Sequence, residues 1–133
     1  MTRTRASSGS PFEGSIGFSR AIRVGNRILV SGTAPVEDDG SSTPGDAEAQ
    51  GERCLAVIVR AIEQLGGTAE DVVRTRMFLT DAGDADAVGR AHGRWFGDVR
   101  PASTMVAGAV LLRPEWRVEI EAEAIVATQG DVQ

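Results

Sequence analysis

The sequence predicts an α/β (α+β) domain of order ββαβαββ, in which two helices pack on one face of a mixed sheet. Three observations support this. At 133 residues the chain has the length of one domain. Two stretches with helical hydrophobic periodicity alternate with short strand-like runs. The connections between those runs are rich in glycine, proline and aspartate, which favour turns.

The N-terminal residues predict a flexible arm followed by a hairpin. Residues 1–16 are rich in Ser, Gly, Thr and Arg and have no hydrophobic periodicity. Residues 16–24 and 27–31 predict two strands, and Gly25-Asn26 between them suits a tight turn because both residues tolerate positive φ. The domain is therefore expected to span residues 17–128, with a short tail at 129–133.

A long helix is predicted from Asp46 to about Leu65, after a turn-rich loop. Gly66-Gly67 supplies the stop. The apolar residues of this stretch recur at helical spacing and form one stripe that is expected to be buried. They are Ala47, Cys54, Leu55, Ile58, Val59, Ala61 and Ile62.

The rest of the chain predicts one strand, a second helix and two further strands. Residues 73–79 are rich in β-branched and apolar side chains. The second helix opens at Ala82 or Asp84 and ends near Phe96, with Gly97 just beyond it. Residues 106–112 and 118–126 predict the last two strands, joined by a turn at 113–115.

This topology leaves one sheet face without a cover. Helices that alternate with strands through right-handed crossovers pack on the same face of the sheet. Residues 106–112 are apolar at both odd and even positions, so both faces of that predicted strand favour burial. We therefore expect the chain to associate with copies of itself.

Composition narrows the function classes. Fourteen basic and nineteen acidic side chains give a net charge of −5 without a basic cluster, which disfavours nucleic acid as a partner. Neither a membrane-spanning run nor a secretory signal is expected. The single cysteine, Cys54, predicts a buried thiol and a reducing compartment, so the cytoplasm is the expected location. One His and one Cys do not suffice for an ordinary zinc site, and we expect neither a metal nor a cofactor.

Five motifs occur in the order found in one protein family. They are the hairpin at residues 23–32 ending in Ser-Gly with Pro35 after it, the Thr-Arg-Met-Phe-Leu-Thr-Asp run at 75–81, Trp95-Phe96, Arg100-Pro101-Ala102, and the Val-Glu-Ile-Glu-Ala strand at 118–122. The match to that family runs from about residue 17 to residue 126. The chain thereby resembles the RidA (YjgF/YER057c/UK114) family. That resemblance implies a chorismate-mutase-like fold and a homotrimer, in which three sheets form a central barrel with ligand clefts between subunits.

The resemblance also implies a chemistry, from which this sequence departs. RidA-type deaminases hydrolyse enamines or imines to a keto acid and ammonia, using an arginine that binds the substrate carboxylate, a glutamate and a tyrosine. The glutamate matches Glu119, for which a solvated strand face is the alternative. The arginine position holds Ser103, which cannot pair with a carboxylate. The tyrosine position holds Phe18, and the chain contains no tyrosine.

Further residues are expected near the same cleft. Ser31, Gly32, Met105 and Trp116 join Phe18 and Ser103 as candidate ligand-binding residues. The alternative to a ligand-binding role is a place in the hydrophobic core for Met105. For Trp116 the alternative is a half-exposed covering position. The only histidine, His92, shares a helical face with Val88 and Phe96, which predicts a packed core residue rather than a catalytic base. Arg100 is expected to be an exposed loop cation.

Three functions remain open on the sequence. The first is a hydrolase for enamine-like or imine-like metabolites that is not an efficient amino-acid-imine deaminase, because Ser103 replaces the arginine. The second is a trimer that binds a metabolite or protein partner without catalysis, which the missing arginine and tyrosine favour. Ribonuclease activity, known among some RidA relatives, is a distant third because of the acidic charge balance.

Overall fold

The computed structural model describes residues 2–127 as one six-stranded mixed sheet with two helices. The elements are β1 (Arg3–Ala6), β2 (Ala21–Val24), β3 (Arg27–Thr33), α1 (Ala47–Gln64), β4 (Val72–Leu79), α2 (Ala85–Phe96), β5 (Ala102–Val106) and β6 (Val118–Ile125). The spatial strand order is β1-β2-β3-β6-β4-β5. β4 and β5 are parallel, and the other neighbours are antiparallel. The predicted tail at 129–133 lies outside the described residues. Neither described helix is both long and apolar enough to cross a membrane.

The N-terminal segment differs from the predicted flexible arm. β1 pairs with β2 from Arg3 opposite Val24 to Ala6 opposite Ala21, and a single helical turn spans Glu13–Gly17. Pairing along the free edge of β2 is made by backbone groups, which need no hydrophobic periodicity to hydrogen-bond. For this reason a segment dominated by polar side chains forms an edge strand.

The predicted hairpin and helices are confirmed. Gly25 adopts φ +62° in the two-residue turn between β2 and β3. Every residue of the predicted stripe on α1 is buried, and α1 packs against β6 and β3. The helix ends before Gly66, whose φ of +88° favours glycine. A short helical turn at Ala82–Asp84 leads into α2, so both predicted starts of the second helix lie in one continuous segment.

We expect Asp46→Ala to lower the free energy of unfolding by about 1 kcal/mol. The Asp46 carboxylate caps α1 by accepting a hydrogen bond of 2.9 Å from the backbone N–H of Ala49. Asp46→Asn keeps the acceptor and is expected to change stability much less. Urea unfolding of both variants measures their free energies of unfolding. Equal losses in Asp46→Ala and Asp46→Asn would exclude the capping hydrogen bond as the cause.

The strand predicted at residues 106–112 is wrong. The strand is β5, which pairs with β4 from Arg74 opposite Ala102 to Phe78 opposite Val106. Beyond it the chain leaves the sheet at Gly108, which has φ +86°. Val110 and Leu112 in the following loop are 97% and 81% exposed. Pairing with β4 sets the register, and the apolar run therefore forms an exposed loop after the strand.

The sheet has one face toward the helices and one face away from them. In β6 the side chains of Val118, Ile120, Ala122 and Ala124 are buried, whereas Glu119, Glu121 and Glu123 alternate with them and are only partly buried. On the face away from the helices Arg76 pairs with Glu121 at 2.7 Å, and Leu29 is exposed. The prediction of two helices on one face of a mixed sheet is confirmed.

Candidate functional site

A cavity of about 400 Å³ lies where β6 begins and β3 ends. The N-terminal segment, the loop after β3 and the outer side of α1 complete its walls. Its lining combines apolar and charged side chains, among them Phe12, Phe18, Arg20, Val57, Trp116 and Glu119. Such mixed lining is typical of sites for small molecules.

Glu119 is the acidic group of this cavity that the motif predicts. Burial raises the pKa of its carboxyl, the charge of Arg20 opposes that rise, and Glu121 adds to it. A Cβ placed on Gly32 would lie 3.4 Å from Cδ of Glu119, so a residue without a side chain leaves this face of the carboxyl open. A partly buried carboxyl with a raised pKa is a candidate general acid or base.

Arg20 is a buried cation beside the same cavity. Its side chain donates through Nη1 to the backbone oxygen of Gly32 at 2.7 Å and to Oγ1 of Thr33 at 3.0 Å. Its guanidinium lies 5.4 Å from the ring centroid of Phe18. Arg20 is only 6% exposed, and its Nε is buried without a hydrogen-bond partner among the described residues.

Glu13 supplies the negative charge closest to Nε of Arg20. Its Oε2 lies 4.0 Å from that nitrogen and accepts hydrogen bonds from the Ser8 N–H and hydroxyl. Burial alone would raise the pKa of Glu13, but the hydrogen bonds from Ser8 and Ser7 and the charge of Arg20 lower it overall. The N-terminal segment therefore supplies a carboxylate beside Arg20, while its neighbours Ser8 and Phe12 line the cavity.

The outer rim of the cavity is held by ion pairs and a buried tryptophan. Arg53 and Arg60 both reach Asp38, at 3.0 and 3.4 Å. Trp116 donates through Nε1 to Oγ of Ser42 at 3.0 Å, and the guanidinium of Arg113 lies 5.1 Å from its ring centroid. Trp116 is 4% exposed, so the half-exposed cover predicted for it is wrong.

The predicted site residues form two separate groups in one chain. Phe18, Gly32, Trp116 and Glu119 line the cavity. Ser103 and Met105 lie on β5 at the edge of the sheet, and neither lines it. β4 stands between β6, which carries Glu119, and the edge strand β5, which carries Ser103 and Met105. Met105 is half-buried and packs against the core, as the alternative prediction has it.

Ser103 is the outer end of a hydrogen-bonded chain that the sequence does not reveal. Its Oγ lies 2.8 Å from Oγ1 of Thr75, the residue opposite it in the parallel pair. The same Thr75 oxygen lies 2.8 Å from Nε2 of His92 on α2. Thr75 is fully buried, whereas Ser103 is exposed. His92 packs on Phe96 as predicted, with ring centroids 5.0 Å apart, and it also carries this polar contact.

Three other residues for which the sequence predicts a role do not line the cavity. The Ser31 hydroxyl donates to the backbone oxygen of Ser19 at 2.7 Å, which gives it a structural partner. Arg100 is exposed in the loop before β5, with φ +55°. Cys54 is fully buried near the backbone oxygen of Val118, and burial raises the pKa of its thiol. The prediction of a buried structural thiol is confirmed.

Hydrophobic periodicity does not predict the part of the cavity that the N-terminal segment and Arg20 form. The segment has no periodicity, and its contribution depends on β1 pairing with β2. One signal for Arg20 was available, because an arginine between Phe18 and the apolar pair Ala21-Ile22 interrupts a strand-like run. A charged side chain within an apolar run is either exposed to solvent or buried with a partner.

We expect Glu119→Gln to stabilise the protein at neutral pH. In the unfolded chain the carboxyl titrates near its ordinary pKa of 4.5, and in the folded chain its pKa is raised. Between those two values the folded state binds more protons, so the stability of the natural protein falls as pH rises through that window. Glutamine does not titrate, and the variant's advantage should therefore vanish below pH 4.5. The free energies of unfolding of the variant and of the natural protein, measured across pH, test this expectation. If the variant is still more stable below pH 4.5, the raised pKa of Glu119 is contradicted.

Comparison with known proteins agrees with this fold and with these motifs. The family model described as Endoribonuclease L-PSP matches residues 10–126. The protein SCO2049 of Streptomyces coelicolor is 39% identical over 120 residues, covering 90% of each chain. A RutC family protein of Pyrococcus abyssi is 33% identical, covering 81% of this chain and 84% of its own.

A solved structure gives the same assignment. Rv2704 of Mycobacterium tuberculosis, described as a member of the YjgF/YER057c/UK114 family, superposes with a TM-score of 0.84 at 43% identity. The match covers 94% of this chain and 100% of Rv2704. Because the family model spans most of the chain and both relatives exceed 30% identity, the chain belongs to the endoribonuclease L-PSP family, the RidA (YjgF/YER057c/UK114) family that its motifs resemble.

Proposed function

We propose that the chain forms a homotrimer with a small-molecule cleft between each pair of subunits, and that the cleft hydrolyses enamine-like or imine-like metabolites. The observation that carries this proposal is the division of the motif residues. Glu119 and Phe18 line the cavity, whereas Ser103 lies on the edge strand β5 and does not line it. Two parts of one motif that are separated within a subunit form a single site when the β5 edge of one copy meets the cavity of the next.

The surface of the single chain supports self-association. Leu29 and Ile125 are exposed on the face away from the helices, and Val106, Val110 and Leu112 are exposed at the end of β5 and in the loop after it. Apolar side chains grouped in this way mark interaction surfaces. Sedimentation equilibrium should give a mass of about 42 kDa, three times the 14.0 kDa of one chain, and a monomer would contradict the proposal.

In this cleft Glu119 is the group that handles protons. Its raised pKa suits it to position a water molecule and to take a proton from it as the water attacks the imine carbon. Glu119 then returns the proton to the nitrogen, and the carbinolamine that results loses ammonia to leave a carbonyl product. Ser103 offers no charge to a substrate carboxylate, so substrates that are uncharged at that position are favoured over amino-acid-derived imines.

Ammonia release from freshly generated imines tests the hydrolase. Imines that lack a carboxylate should release ammonia faster than in buffer, whereas 2-aminoacrylate should react poorly. The Glu119→Ala variant should react no faster than buffer. If no enamine or imine reacts faster than in buffer, the hydrolase is excluded.

A trimer that binds a metabolite without catalysis is the second candidate. It is favoured by the absence of the arginine at Ser103 and of any tyrosine hydroxyl at Phe18. A ligand that raises the melting temperature without being consumed would support it.

Ribonuclease activity is a third candidate, disfavoured by the net charge of −5. Unchanged RNA after incubation with the pure protein would remove it. For any of the three functions, the buried Cys54 thiol fits a reducing compartment, and the cytoplasm is the expected location.

A further inference from the structure

The chain Ser103–Thr75–His92 joins an exposed hydroxyl to an imidazole through a buried one. Both links measure 2.8 Å, which is a normal length for a hydrogen bond. The middle hydroxyl is fully buried between β4, β5 and α2, and its one proton can be donated to only one of its two neighbours. The direction of one link therefore fixes the direction of the other.

The direction of the chain decides what Ser103 offers to the outside. When Nε2 of His92 carries a proton, it donates to Thr75, Thr75 donates to Ser103, and the Ser103 proton is free to point outward. When Nε2 lacks the proton, the order reverses and Ser103 points a lone pair outward. Burial lowers the pKa of His92, so the imidazole is neutral at neutral pH and both tautomers are available.

We propose that Ser103, Thr75 and His92 form a hydrogen-bonded relay in which Ser103 recognises an uncharged polar group of the ligand, such as an amide. An amide presents both an acceptor oxygen and donor N–H groups, and the relay can adjust to either. A carboxylate only accepts, and Ser103 provides no cation to compensate its charge. Thr75 and His92 are positioning residues that act through Ser103. The inference rests on the proposed function, because Ser103 meets a ligand at the cavity only when a neighbouring subunit supplies that cavity.

Two probes of matched size separate the amide from the carboxylate. Pyruvamide and pyruvate differ only in that group. We expect the trimer to bind pyruvamide about fivefold more tightly than pyruvate, since one additional hydrogen bond is worth about 1 kcal/mol. Ser103→Ala should remove the preference. Equal or tighter binding of pyruvate, a preference that survives in Ser103→Ala, or a trimer that binds neither probe would overturn the assignment of the ligand class.

The relay itself has a separate readout. His92 is the only histidine, so selective ¹⁵N labelling gives a single pair of imidazole resonances. Pyruvamide should shift these resonances in the natural protein and in Thr75→Ser, which keeps the hydroxyl, but not in Thr75→Val, which keeps the shape without it. Thr104→Val makes the same change at an exposed residue beside Ser103 and should leave the shift intact. A shift that persists in Thr75→Val would overturn the relay.

Failure of the proposed function would look different. In that case the protein would sediment as a monomer, or no imine would be hydrolysed, while the relay would remain testable without any ligand. Ser103→Ala should then still move the Nε2 resonance of His92 through Thr75, and an unchanged resonance would show that the three residues are not coupled.

Discussion

Replacing Ser103 by arginine is expected to raise the rate of ammonia release from 2-aminoacrylate by about 10²-fold. The proposed function places Ser103 where the RidA motif implies a carboxylate-binding arginine, and Ser103 is exposed on β5, where a long side chain has room. A guanidinium there would restore a bidentate, charge-assisted contact with the substrate carboxylate. Ammonia is measured while the enamine is generated in the same vessel.

Thr104→Arg is the matched control for this gain. Thr104 is the next residue of the same strand and is also exposed, but its side chain leaves the opposite face of the sheet. The Thr104→Arg variant adds the same charge one residue further along the sequence. If Thr104→Arg accelerates the reaction as much as Ser103→Arg, the gain comes from net charge and not from the position that the family motif identifies.

Replacing Glu119 by glutamine in the Ser103→Arg background is expected to remove most of that activity, about 10²- to 10⁴-fold. Glutamine keeps the size of the side chain and can still hydrogen-bond, but it cannot accept a proton from water. Ammonia release measured as above gives the loss. Because the same substitution is expected to stabilise the fold at neutral pH, a loss of activity without a loss of stability would identify a role in the reaction.

Glu121→Gln provides the comparison on the same strand face. Glu121 is two residues further along β6 and pairs with Arg76 at 2.7 Å, away from the cavity lining. Its replacement should leave the rate of ammonia release within a few-fold of the parent. Equal losses in the two variants, or full activity in Glu119→Gln, would exclude Glu119 as the proton-handling group.

The sequence predicts best where a local pattern and a tertiary contact require the same residues. The stripe on α1 is both a helical repeat and the surface that meets the sheet, and its prediction is confirmed. The alternation along β6 likewise identifies the strand and its two faces. The prediction from sequence fails at residues 106–112. An apolar run indicates a preference for a strand, but it does not show which neighbouring strand sets the register. The pairing of β5 with β4 sets that register through the neighbouring residues Ala102–Val106.

The candidate site was predictable only as far as the family motif reaches. Glu119, Phe18, Gly32 and Trp116 all line the cavity, with Gly32 near the end of β3 and Glu119 near the start of β6. Arg20 reaches the cavity wall, with Glu13 beside it, through tertiary contacts that include the pairing of β1 with β2. The link between Thr75 and His92 joins a strand to a helix, and no spacing within either element reveals it.

Mixed trimers test most directly whether two subunits share one site. One parent is the natural chain, which has Glu119 but lacks the arginine. The other parent combines Ser103→Arg with Glu119→Gln. Each parent alone should release ammonia from 2-aminoacrylate slowly. After the two are unfolded together and refolded, some neighbouring pairs join the introduced arginine of one subunit to Glu119 of the next. A shared cleft predicts that this mixture is much faster than either parent, whereas a mixture no faster than the average of its parents would contradict a site built from two subunits.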